Sequence, residues 1–186
     1  MPTEAPEDVR ERVRSYLVHN ATKELGELRD LVQKGHDQIM GIAAGLTASQ
    51  ATFKPAPDEW SVLDCFQHVV AAKKGTARLA ATLARGEQPP GIGGEGEETR
   101  RQDGVTGTRY ATLDEARAAA QAAHEELLAF LDTAASTANL EATYPHFLFG
   151  DLNCLQWAAF QRVHDGDHAG QIERIIAAPG YPYPTG

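Results

Sequence analysis

The chain has 186 residues, 42% hydrophobic and 23% charged, a balance that suits one globular domain and excludes a disordered or fibrous chain. Its 26 acidic residues against 17 basic ones give a net charge of −9, which repels phosphate backbones; Arg100-Arg101, beside Glu97-Glu98, is too small a basic patch to offset this, so nucleic acid is not an expected partner. No apolar run is long enough to span a bilayer and the first residues are acidic rather than signal-like, which predicts a cytoplasmic protein with no membrane partner.

The expectation is a single domain over residues 1–186, with loose tails at about 1–8 and 179–186. From about Val9 to Leu46, residues Leu25, Leu28, Val32, Ile39, Ala43 and Leu46 recur at helical spacing, which predicts one long helix. Gly26, Gly35 and Gly41 within it mark close packing or a break. Residues 47–60, with Pro55 and Pro57, read as a connection. Ser61-Val-Leu-Asp64 is a capping box that opens a second helix, whose apolar stripe runs Cys65, Val69, Ala72, Thr76, Leu79, Leu83 and stops before Gly86.

Residues 87–111 are Gly-rich and charged, as in a long exposed loop. Gly91-Ile-Gly-Gly-Glu-Gly96 within it matches the dinucleotide-binding pattern letter for letter. It follows a helix and Pro89-Pro90 rather than a strand, so the match carries no function. Thr112-Leu-Asp-Glu115 opens an Ala-rich third helix to about Ala135. Residues 136–150 form another connection. Asp151 then caps a last helix that Pro179-Gly180 ends. Four long helices without an alternating strand pattern predict an all-α, up-and-down four-helix bundle. Cys65 and Cys154 are expected as buried thiols in a reducing compartment.

His164 and His168 stand four apart, one turn of helix, on the stripe Trp157, Phe160, His164, His168, Ile172, Ile175. Both imidazoles should point inward, where a metal ion or a matched set of hydrogen bonds must satisfy them. His68 lies on the inward stripe of the second helix. Periodicity leaves the metal and the hydrogen-bonded core as open alternatives. A zincin protease is excluded, because Asp165 stands where that motif needs Glu beside the first His. A carboxylate-bridged di-iron centre needs acid-x-x-His twice, and only Asp165-x-x-His168 is present. Gln171 suits a hydrogen-bond partner of a ligand, and Asp64 suits either that role for His68 or the helix cap. Cys65 reads as a fourth ligand or as core, Trp60 and Trp157 as pocket walls or core, and His36 and His124 as substrate contacts, ligand supports or core. His19 and His146 show no signal.

Two phrases carry a resemblance: Trp60-Ser61-Val62-Leu63-Asp64-x-x-x-His68, and Phe149-Gly150-Asp151-Leu152 leading through Trp157 to His164-x-x-x-His168-x-x-Gln171-Ile172. In order and spacing they resemble the DinB-like superfamily, over about residues 15–178. The resemblance implies a four-helix bundle with a three-histidine site, here His68, His164 and His168, for a divalent metal, zinc or nickel above all. It departs before the last helix, where the family's His-Pro-x-Phe-Gly appears as Pro145-His146-Phe-Leu-Phe-Gly150. Relatives of this kind include metal-dependent thiol transferases, so the resemblance implies a low-molecular-weight thiol and an electrophilic small molecule as partners. The alternatives are a non-catalytic metal-binding or stress-related protein and a purely structural bundle. A homodimer is the expected assembly.

Overall fold

In the computed structural model, residues 6–89 and 109–183 are described. Helix α1 covers Glu7–Ala21 and α2 covers Leu25–Ile42, so the single long helix expected from Val9 to Leu46 is two. The break falls at Thr22-Lys23-Glu24, where the Thr22 hydroxyl donates to the His19 carbonyl at 2.8 Å and closes the end of α1. Neither Pro nor Gly marks this break. Gly35 instead marks a close approach: a Cβ there would lie 3.2 Å from the Arg162 Cα on the last helix.

The connection after α2 contains a short helix, α3 (Ala48–Thr52), opened by a Thr47–Gln50 capping box. Helix α4 covers Val62–Ala84 and starts where Ser61-x-x-Asp64 predicts. Asp64 accepts from the Ser61 backbone N–H at 3.0 Å while the Ser61 hydroxyl oxygen accepts from the Asp64 N–H at 3.1 Å. Helix α5 covers Leu113–Thr133 and is capped by Thr112, but Glu115 reaches back to the Ala111 N–H at 2.9 Å rather than to the cap itself. The Gly91–Gly96 pattern lies outside the described residues.

Residues 143–153 are not an irregular connection. They form an antiparallel hairpin, β1 (Thr143–His146) with β2 (Gly150–Asn153), in which Pro145 is opposite Asp151. Asp151 is therefore a strand residue, and Asn153 caps the last helix, α6 (Cys154–Ile176), in a capping box with Gln156. Strands this short, with Pro and Gly inside them, carry too few alternating positions to be read as strands. Gly150 takes the left-handed conformation that the turn requires, with φ of 71°.

The bundle pairs α4 with α5 and with α6, and α2 with α6; α1 lies along α6 as an additional helix. Its buried apolar residues fall into two clusters. One holds Leu17, Leu28, Val32, Leu83, Leu127 and Leu155. The other holds Ile39, Val62, Phe66, Val69, Ala116 and Ile172. Between them α2, α4, α5 and α6 contribute buried polar residues: His36 from α2, Lys73 and Thr76 from α4, His124 from α5, and Gln161, Asp165 and His168 from α6. A polar middle layer inside an otherwise apolar bundle is costly unless its groups are paired, so its contents bear directly on function.

The segment after α6 is docked rather than loose as far as Tyr183. Tyr181 is buried edge-on against Phe53 at 5.5 Å, and the Tyr183 hydroxyl donates to the Ile176 carbonyl at 2.7 Å. Cys65 and Cys154 are free, buried thiols in different apolar clusters, and burial pushes Cys65 up to about 12. Neither suits nucleophilic chemistry. Among the described residues no helix is long and apolar enough to cross a membrane.

Candidate metal centre

His68 from α4 and His164 and His168 from α6 meet at one point, with one nitrogen of each ring lying within 4.8 Å of the others. The Nε2 atoms of His68 and His164 are 3.1 Å apart. Two nitrogens at that separation can each lie about 2.0–2.1 Å from a single ion between them. His168 donates from Nδ1 to the Gln171 side-chain oxygen at 2.9 Å, which leaves the lone pair on Nε2. That Nε2 is buried without a hydrogen-bond partner, a cost that a metal bond removes. The donor set and the orphaned nitrogen both fit a divalent ion bound by imidazole.

Burial holds His164 and His168 neutral. It lowers His168 to about 4, with His68 adding to the effect, and lowers His164 well below the usual imidazole range, with His168, His68 and Lys73 adding to it. Only the neutral ring offers a lone pair, so both are ready ligands at neutral pH.

The surroundings are aromatic. Half-buried Trp60, from the segment just before α4, lies parallel over His168 with ring centroids 6.1 Å apart and tilts across His68 at 5.2 Å. Phe160 packs on His164 at 5.5 Å. Trp157 is a hairpin anchor instead: its indole N–H donates to the Tyr144 carbonyl at 3.2 Å. Asp64 stays with the cap, its Oδ2 shared between Ser61 and Lys54 at 3.0 Å. Cys65 is core, outside the histidine group. Asp165 is outside the histidine group and is engaged in a buried ion pair with Lys73.

His146 is the residue that periodicity missed. The hairpin buries it against Phe149 at 4.7 Å and edge-on to Phe160 at 4.6 Å, one ring away from His164. Its Nδ1 accepts the Leu148 backbone N–H at 3.1 Å, and burial lowers the ring to about 4. A strand-borne histidine has no helical register to betray it; its position three residues before Phe149 was the available sign.

Fold and geometry together define a helical bundle with three convergent imidazoles at its middle. The chain belongs to the DinB superfamily, whose model matches residues 31–172. It is similar in fold to the solved structure of TT2238, a four-helix bundle protein, with a TM-score of 0.56 and 19% identity over 81% of this chain and 98% of that one. No curated protein matches the chain significantly.

Proposed function

We propose that the protein is a metal-dependent DinB-superfamily enzyme in which His68, His164 and His168 hold a zinc or nickel ion, and that it transfers a low-molecular-weight thiol to an electrophilic small molecule. The convergence of three imidazoles, with His168 Nε2 buried and unpartnered, carries the reading. Three protein nitrogens are the ligand count of catalytic sites that keep a position for substrate, whereas structural sites close with four. A divalent ion bound there supplies Lewis-acid chemistry, making a coordinated thiol or water acidic near neutral pH. The chain's own residues prepare the site. Gln171 fixes the His168 tautomer, burial keeps His164 and His168 unprotonated, and Trp60 and Phe160 pack against the cluster.

The test is metal analysis of purified protein followed by turnover with glutathione, bacillithiol and mycothiol against electrophilic substrates. Metal-loaded protein should turn over one of these pairs and metal-stripped protein none. Stoichiometric metal without metal-dependent turnover across the panel would replace the transferase with a non-catalytic metal-binding protein. Assembly as a homodimer belongs to the same proposal and is read by light scattering.

A further inference from the structure

The seam between α4 and α6 is tied by polar contacts on successive turns. His68 meets His164, Lys73 forms its ion pair with Asp165, and the Gln161 amide donates to the Thr76 hydroxyl at 2.9 Å. Lys73 and Asp165 are both fully shielded from solvent. Lys73 stands five residues after His68 and Asp165 directly follows His164, so the ion pair joins the two ligand-bearing helices beside the centre itself.

Nothing else described in the layer can neutralise Lys73. On the far side, α2 and α5 carry the same phrase, Gln33-x-x-His36-Asp37 and Gln121-x-x-His124-Glu125. Each glutamine donates its amide N–H to the carboxylate four residues on, at 2.7 Å for Gln33–Asp37 and 2.9 Å for Gln121–Glu125. A carboxylate only accepts, so each amide oxygen is left to face the opposite helix of the α2–α5 pair. There Gln121 accepts from His36 Nε2 at 2.8 Å, and Gln33 accepts from His124 Nε2 at 3.1 Å. Both rings are therefore neutral Nε2–H tautomers, stacked 3.9 Å apart at 10°, with Nδ1 buried and unpartnered. Neutral rings supply Lys73 with no countercharge. Asp165 alone among these groups supplies one.

A buried ion pair is a weak source of stability, because desolvation offsets its attraction, and apolar residues of similar volume often do as well or better. Its place beside the ligands gives it a different use. We propose that Lys73 and Asp165 are positioning residues of the metal centre: their ion pair sets the separation of α4 and α6, and so holds His68 and His164 at the spacing one ion requires. This rests on the metal reading above.

Single substitutions leave one charge buried and unpaired, and those variants are expected to misfold. The test is therefore the double variant Lys73→Met/Asp165→Val, titrated with cobalt(II) beside the wild type, with melting of both metal-free proteins. The metal-free double variant should melt no lower than wild type. Its cobalt affinity should fall about tenfold or more, as when the outer support of a metal site is lost, and its visible d–d bands should shift. Wild-type affinity and spectrum in the double variant would overturn the proposal. So would a double variant that cannot fold, since the pair would then serve stability. A wild type that takes up no cobalt would overturn the metal reading and this proposal with it.

Discussion

Gln171 accepts the Nδ1–H of His168 one turn before it, at 2.9 Å, and thereby decides which nitrogen of that ring faces the histidine cluster. Replacing Gln171 with Leu removes the acceptor and frees the tautomer. Metal affinity, measured by competition with a chromogenic chelator, should fall about 10- to 100-fold. Gln171→Glu keeps an acceptor in place and should keep most of the affinity. Equal affinity in the Leu variant would make Gln171 an ordinary surface residue.

The three convergent histidines make a more severe prediction. His68→Ala, His164→Ala and His168→Ala should each reduce bound metal well below one ion per chain by elemental analysis. Each leaves only two of the three convergent nitrogens. Full metal content in any one of them would remove that residue from the centre.

Two glycines should respond with opposite signs. Gly35→Ala places a Cβ 3.2 Å from Arg162 Cα and 3.5 Å from its carbonyl oxygen, so α2 and α6 must separate, at a cost of about 1–3 kcal/mol. Gly75, exposed on α4, has nothing within 4 Å of a built Cβ. Gly75→Ala should stabilise by about 0.5–1 kcal/mol, from helix propensity alone. Urea unfolding of the metal-free variants measures both.

The stacked pair confers a pH dependence. Burial, aided by His36 and Lys73, lowers His124 to about 3 from its ordinary 6.5, and burial lowers His36 as well. Both rings take up protons more readily in the unfolded chain. Their contribution is fully present above about pH 6.5 and is lost as pH falls towards 3. The urea midpoint of metal-free protein should therefore drop between pH 6.5 and 4.5, and drop less in His124→Asn. An identical drop in the variant would deny His124 its part.

Much of the site was legible in sequence because its signals are local. His164 and His168 share a helical turn, Gln171 follows in register, and Ser61-x-x-Asp64 announces the start of the helix that carries His68. Such features depend on a few adjacent residues, and local backbone geometry suffices to express them. The DinB phrases added the link between His68 and the pair on α6.

The break at Thr22-Lys23-Glu24, the hairpin that delivers His146 and the docked Tyr181 were not legible. The break turns on a three-residue side-chain contact that no Pro or Gly announces, whereas the hairpin turn and Tyr181 are held from afar, by Arg14 on α1 to the Phe149 carbonyl at 2.7 Å and by Phe53. The Lys73–Asp165 pair, 92 residues apart, is a further case. By itself the sequence determined the helical class, the long helices α4, α5 and α6, and the inward face of the histidines, because periodicity and capping act within a few turns. Only the tertiary structure decided that three imidazoles converge above a buried ion pair. Burying a charge is tolerable only where folding brings its partner, and no local pattern encodes that meeting.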